Sequence, residues 1–181
     1  HTAPLRTEQD ASFLWIIVPF GLSILPMAWI YSTVVDSPIL GLLMTIVMAL
    51  AAFLFSSVAA YMAGMVGSSS NPVSGVTIAT IMVAALLLAL FMGAGHPAGP
   101  AAALVIGAVV CCAAAMGGDN LQDLKTGHLV GATPWKQQIM QVVGVLTGAL
   151  VLVPVLSLLQ AKYGIGEPTS GHPHPLSAPQ A

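Results

Sequence analysis

Two polar segments are the parts of this sequence whose side chains could bind or move a solute. The first polar segment, residues 67–75, reads Gly-Ser-Ser-Ser-Asn-Pro-Val-Ser-Gly. The second polar segment, residues 118–128, reads Gly-Asp-Asn-Leu-Gln-Asp-Leu-Lys-Thr-Gly-His. Both interrupt sequence that is otherwise almost uniformly apolar. Because ionisable and polar groups are costly in such surroundings, a function is expected at these two segments.

The composition of the chain predicts a membrane protein. Only 6% of its residues are charged and 57% are hydrophobic, whereas a soluble domain carries about 25% charged residues. The formal net charge of −2 gives no basic surface of the kind that binds nucleic acid. The chain begins without Met and ends in a Pro-, His- and Ser-rich stretch, so we expect it to be an interior fragment of a longer protein.

Five apolar stretches are long enough to cross a bilayer, which takes about 20 residues of helix. They predict an all-α fold, a polytopic transmembrane helix bundle that forms part of one domain over residues 1–181. Proline after a capping residue marks three helix starts, at Ser37-Pro38, Asn71-Pro72 and Thr133-Pro134. The predicted spans are 13–31, 38–66, 72–92, 100–117 and 136–160, with loops at 118–135 and 162–181.

Small residues at helix-packing spacing predict close contacts between helices. The pairs are Ala60 with Gly64, Ala113 with Gly117, and Gly144 with Gly148. The basic residues predict the orientation, because Lys125 and Lys136 share the loop before the fifth helix and Arg6 precedes the first. The positive-inside rule then places loop 118–135 in the cytoplasm.

The first polar segment lies where one helix ends and the next begins, so unpaired carbonyls and amides meet there. Transporters bind substrate carboxylates at such helix N-termini and ions on unwound backbone. We therefore predict substrate binding by Ser68, Ser69, Ser70 and Asn71. The alternative is an ordinary turn whose hydroxyl and amide side chains only cap the helices.

The second polar segment offers protonatable groups. Asp119 and Gln122 have the spacing of a capping box for a short helix. In the functional interpretation, Asp119 or Asp123 takes up a coupling proton with Lys125 as its charge partner. Gln122 and Lys125 are also expected to contact substrate. The alternative is an amphipathic loop helix on the membrane surface.

A joint hypothesis follows from alternating spans, which place both polar segments on one side of the membrane. A short fourth helix, ending at Gly117-Gly118, would let the second segment dip in beside the first. Asn71 and the amides of the third helix would then donate to a substrate carboxylate. Asp119 or Asp123 would lie nearby, partly buried.

Other functions find less support in the sequence. Met44 and Met48 have the spacing of paired copper(I) ligands, although methionines spread over apolar helices usually serve packing. The sequence has no Gly-x-Ser-x-Gly, His-Glu-x-x-His or P-loop motif. We therefore expect neither an enzyme nor a resident metal or cofactor.

The two polar segments, the second together with its continuation Leu-Val-Gly-Ala-Thr-Pro-Trp-Lys-Gln-Gln, resemble the oligopeptide transporter (OPT) superfamily. The most similar branch is the bacterial one, which is related to the yellow-stripe-like plant transporters of metal–nicotianamine chelates. Residues 122–127, Gln-Asp-Leu-Lys-Thr-Gly, are the most specific part, and the resemblance covers about residues 56–181. One departure is Val73, where the fungal and plant peptide branch has the glycine of an Asn-Pro-Gly motif.

The resemblance implies a secondary active transporter of which this chain is one segment. It implies import of small peptides or peptide-like metal chelates by symport with protons, so the proton gradient and no cofactor drives transport. The expected partners are the substrate, the lipid bilayer and the remaining helices, and the expected location is a bacterial inner membrane. A passive channel or pore, and a structural membrane subunit without transport activity, remain alternatives.

Overall fold

The computed structural model describes residues 5–164, which form helices and short turns and no strand. All five long helices have the length and the apolar composition needed to cross a membrane. This confirms the predicted all-α polytopic fold. The helices are α1 (Leu14–Val35), α2 (Pro38–Val66), α3 (Val73–Met92), α4 (Gly99–Val130) and α5 (Pro134–Tyr163).

The end of the fourth helix differs from the prediction. Gly117-Gly118 does not end α4, which continues through the second polar segment to Val130. Both glycines keep helical backbone, and their missing side chains instead allow close contacts with other helices. The predicted loop 118–135 is therefore mostly helix, and the capping box of Asp119 with Gln122 is wrong because these residues lie inside α4.

The true end of α4 is a Schellman motif. Gly131 takes a left-handed conformation with φ of 75°. Its N–H donates to the carbonyl of His128 at 3.2 Å, and the Ala132 N–H donates to that of Gly127 at 2.7 Å. These two bonds satisfy carbonyls that a helix C-terminus leaves unpaired.

Residues 5–137 form one compact unit built from α1 to α4. Its core lies between α1, α2, α3 and α4, and Met44 and Met48 belong to it, with exposures of 0% and 5%. The methionine pair thus has the buried position that packing predicts. The largest fully buried side chains of the unit are Tyr31, Met44, Leu88, Ile106 and Val110.

Helices α2 and α4 run in the same direction and approach closely through glycines. A Cβ atom added to Gly117 would lie 2.5 Å from Ser56 Oγ, and one added to Gly64 would lie 2.6 Å from Leu121 Cδ2. Real Cβ atoms essentially never show contacts this short. A Cβ on Gly117 would also lie 2.8 Å from the Ser56 carbonyl oxygen, which cannot move aside as the end of the Leu121 side chain can, so the close approach depends most on Gly117. The predicted packing role of these two glycines is confirmed.

From residue 138 onward the described chain forms a second unit, which contains α5 without its first four residues. No α5 side chain is buried within the described structure. A Cβ added at Gly144 or Gly148 meets no atom of the described chain within 4 Å, so packing at that pair stays a prediction. Residues 162 and 163 of the predicted loop 162–181 belong to α5, and 165–181 lie outside the described residues.

Candidate functional site

The first polar segment forms a tight turn between α2 and α3. Gly67 follows α2 with φ of 95°, and Ser68–Ser70 make one turn of 3-10 helix. The N–H of Ser70 donates to the carbonyl of Gly67 at 3.2 Å. Ser69 and Ser70 are exposed, whereas the Ser68 side chain lies outside the described part of the chain. The turn therefore presents hydroxyl groups at the junction of two helices.

Asn71 does not cap α3 as predicted. The capping position is held by Pro72, which provides no side-chain hydrogen bond, and α3 begins at Val73. The side chain of Asn71 points toward α4 instead, where its Nδ2 donates to the Ala114 carbonyl at 3.2 Å. The residue at the N-cap of α3 therefore gives no side-chain hydrogen bond to the first turn.

Gly118 is the reason that Asn71 can reach α4. A Cβ atom on Gly118 would collide with the Asn71 side-chain amide. We call the space left by the missing side chain of Gly118 the Gly118 notch. This notch and the hydrogen bond to Ala114 together bring the first polar segment against the start of the second. The sequence showed the Gly117-Gly118 pair, but the pair was interpreted as a helix end rather than as a contact surface.

Lys125 joins the second polar segment to the end of α2. Its Nζ donates to the Gly64 carbonyl at 2.6 Å, which belongs to the last turn of α2. A cation near a helix C-terminus is stabilising by about 0.3–1 kcal/mol. The hydrogen-bond partner of Lys125 is thus backbone, whereas the sequence suggested a neighbouring carboxylate.

Asp119, Gln122 and Asp123 are exposed, so the partial burial expected for the two carboxylates is wrong. The physical reason is the continuity of α4. Helical periodicity places Gly118 and Lys125 on the face toward α2 and α3, and it turns Asp119 and Asp123 away from that face. The backbone carbonyl of Asp123 accepts a hydrogen bond from Gln137 Nε2 at 2.9 Å. A proton-coupling role for these carboxylates stays a prediction.

The N-terminal segment contacts the turn between α4 and α5, which the sequence did not reveal. Arg6 donates through Nη2 to the Gly131 carbonyl, and the Trp135 N–H donates to the Gln9 carbonyl at 3.2 Å. The basic Arg6 therefore lies beside the turn that leads to Lys136. Which side of the membrane this end faces remains a prediction.

Three buried side-chain oxygens have no hydrogen-bond partner within the described residues. They are the hydroxyl of Tyr31 and the amide oxygens of Asn71 and Asn120. More than nine in ten buried polar groups in proteins are paired, so each exception calls for an explanation. None was visible in the sequence, because burial of one atom depends on tertiary packing.

Long apolar helices, with a hydroxyl- and amide-bearing turn held against a glycine notch, define a polytopic helical membrane protein with a polar site between helices. The chain also matches the family described as OPT oligopeptide transporter protein over residues 1–181. It belongs to this family of transporters, and the match extends the resemblance first seen in residues 56–181 to the whole chain.

Two curated relatives illustrate the similarity. A Haemophilus influenzae protein, provisionally named an oligopeptide transporter, is 36% identical over 197 residues. A Saccharomyces cerevisiae protein with a similar provisional name is 36% identical over 74 residues, which is 41% of this chain and 10% of that protein. The alignment with the Haemophilus protein covers all of this chain and 31% of that protein. No solved structure matches the chain significantly.

Proposed function

We propose that the protein is a secondary active transporter that moves oligopeptides or peptide-like metal chelates in symport with protons. The observation that carries this proposal is the contact between the two polar segments, in which Asn71 donates to Ala114 and occupies the notch at Gly118. A polar turn between two membrane helices lies next to a charged helix end. Groups that can bind substrate and groups that can take up a proton are therefore close together in one helix assembly.

The substrate carboxylate binds at the first turn of α3 in this proposal. The first N–H groups of a helix lack intrahelical partners, and the N-cap residue of α3 gives no side-chain hydrogen bond to those of Ser74 and Gly75. The helix dipole adds partial positive charge at the same place. Ser69 and Ser70 provide neighbouring hydroxyls, with Ser68 completing the turn.

Lys125 and Gln122 contribute the substrate contacts of the second polar segment. An ammonium group has three donors, and the Gly64 carbonyl accepts from one of them, so Lys125 retains donors for a substrate anion or carbonyl. Gln122 is exposed on the same part of α4. Both residues therefore suit a flexible ligand with several polar groups, such as a peptide.

The coupling proton is taken up by Asp119 or Asp123. Both carboxylates are exposed near the end of α4, where protons can exchange with solvent. The basic residues Lys125, Lys136 and Arg6 favour a cytoplasmic location for this end in the bacterial inner membrane. Substrate release and proton release would then occur on the same side.

Uptake by the full-length protein in proteoliposomes tests the proposal. Labelled trialanine and a labelled metal–nicotianamine chelate are offered with and without an imposed proton gradient. Gradient-dependent uptake of either one supports transport by symport. Flux that ignores the gradient supports a channel, and absence of flux supports a structural subunit.

Two variants test the site itself against a matched control. We expect Asn71→Ala to lower the uptake rate and Asp123→Asn to weaken its dependence on the proton gradient. Ser157→Ala removes a hydroxyl that only bonds to the Val153 carbonyl within α5 and should behave as wild type. If Asn71→Ala and Asp123→Asn both reach the membrane and transport with wild-type rate and pH response, the site lies elsewhere.

A further inference from the structure

The segment before α1 lies against the turn between α4 and α5. Arg6–Glu8 form one turn of 3-10 helix. Arg6 donates through Nη2 to the carbonyl of Gly131, which is 125 positions away in the chain. The Gln9 carbonyl accepts a hydrogen bond from the Trp135 N–H at 3.2 Å. We call residues 5–9 the strap, because they join the start of α1 to both ends of this turn.

Both hydrogen bonds of the strap are made at a helix terminus. Gly131 follows the last turn of α4, where the carbonyl groups carry partial negative charge and a guanidinium group is favoured. Trp135 is the second residue of α5, and an N–H in the first turn of a helix has no partner within that helix. The strap thus provides a donor at the end of α4 and an acceptor at the start of α5.

The strap is held in place by polar groups at the protein surface. None of residues 5–13 is buried, and Arg6 and Gln9 are both exposed. An exposed hydrogen bond replaces bonds to water, so its net contribution is small. Segments with few buried contacts open at a much lower free-energy cost than a packed core. The strap can therefore leave the turn while the core between α1 and α4 stays folded.

We propose that the strap opens and closes on the α4–α5 turn, and that transport requires this opening. The second clause rests on the proposed function. Lys125 holds α4 to the end of α2, and the closed strap ties its tip at Gly131 to the start of α1. Alternating access requires one set of helices to move against another. The open strap releases the tip of α4 for such a movement, and the closed strap prevents it.

A disulfide that locks the strap tests whether transport requires its opening. Gln9→Cys and Trp135→Cys are combined in full-length protein whose other cysteines, including Cys111 and Cys112, are replaced by alanine. The backbone bond between the two positions brings them within reach of a disulfide. Oxidation should lower trialanine uptake into proteoliposomes by about tenfold or more, because a required conformational step is blocked, and reduction should restore it. Each single-cysteine variant is the control and should not respond to oxidation.

Fluorescence measures opening of the strap without any need for transport. A bimane label on Gln9→Cys is quenched by contact with Trp135, after Trp15, Trp29 and the other tryptophans are replaced by phenylalanine. In nanodiscs we expect two lifetime populations, a quenched one with the strap closed and an unquenched one with the strap open. Trp135→Phe, as the control, should leave only the unquenched population.

Variants of Arg6 assign the closed state to its contact with the turn. Arg6→Ala should raise the ratio of unquenched to quenched label by about three- to tenfold, the factor that one lost hydrogen bond supplies. Arg6→Lys keeps a cationic donor and should raise it less. Lys162→Ala, near the other end of α5, should leave the ratio unchanged.

Three results would overturn the inference. They are failure of the disulfide to form, equal uptake by the oxidised and reduced double variant, and a single quenched population of the label. A strap that only stabilises the fold predicts the second of these. Gradient-dependent uptake by the oxidised protein would leave the proposed function standing. Absence of uptake by the wild type would contradict the proposed function, and the lifetimes would still decide whether the strap opens.

Discussion

The ammonium group of Lys125 lies 2.6 Å from the carbonyl oxygen of Gly64, a residue 61 positions earlier in the chain. This bond connects the charged end of α4 to the last turn of α2, immediately before the serine turn. It lies on the same face of α4 as the Gly118 notch, which receives Asn71. Two polar contacts thus hold α4 against the junction of α2 and α3, one on each side of Leu121.

Replacement of Lys125 by alanine should destabilise the protein by about 0.5–1 kcal/mol, because the carbonyls at the end of α2 lose a cationic donor. Lys125→Arg should restore most of the loss. Thermal unfolding of the full-length protein in detergent measures the effect. Lys136→Ala, which removes an exposed lysine from the first turn of α5 rather than from a helix C-terminus, is the control, and an equal effect of both alanine variants would contradict the capping role.

Gly118→Ala should destabilise the protein by about 1–3 kcal/mol, because the new methyl group meets the Asn71 amide. Alanine is a better helix former than glycine by about 1 kcal/mol, so helix propensity alone predicts that this substitution stabilises the protein. Gly144→Ala in α5 is the control, since a Cβ there meets no atom of the described chain. A gain in stability for both variants would show that the notch has no role.

Amide hydrogen exchange should find residues 119–130 protected, because they continue α4 and their N–H groups bond within the helix. A loop with a water-exposed backbone would exchange at the rate of an unstructured peptide. The turn at residues 93–98 between α3 and α4 is the internal reference for fast exchange. Exchange in residues 119–130 as fast as in residues 93–98 would contradict a continuous α4 and support the loop that the sequence predicts.

A cysteine at Thr126 should resist an impermeant thiol reagent added to intact cells, because the positive-inside rule places this end of α4 in the cytoplasm. The experiment uses the full-length protein with Cys111 and Cys112 replaced by alanine. His96→Cys, in the turn between α3 and α4, should be labelled readily. The reverse labelling pattern would invert the topology.

Hydropathy and proline positions were sufficient to predict five helices, because both signals are local. The starts of α2 and α5 follow their prolines closely, at Pro38 and Pro134. The end of α4 was not predictable in this way. Gly117-Gly118 followed by charged residues is typical of a helix end, and only the contacts with Ser56 and Asn71 explain why helix continues there.

The proximity of the two polar segments was predicted from the sequence, but the directions of their side chains were not. Alternating helices were enough to place the two polar segments at one end of the bundle. The direction of each side chain depended on where α4 ended, so the error at residue 117 also misplaced Asp119 and Asp123. The role of Asn71 changed as well, because a capping side chain and an interhelical one have the same sequence signal.

The uninterrupted backbone of α4 has a mechanical consequence. Because α4 has no break and no proline after its first turn, it moves as one rigid rod, and its apolar and charged parts cannot move independently. Gly107 lies against Ile81 near one end of this helix, and Lys125 donates a hydrogen bond to α2 near the other end. Any protonation or binding event that rotates the charged end therefore rotates Gly118 by the same angle and changes its contact with Asn71.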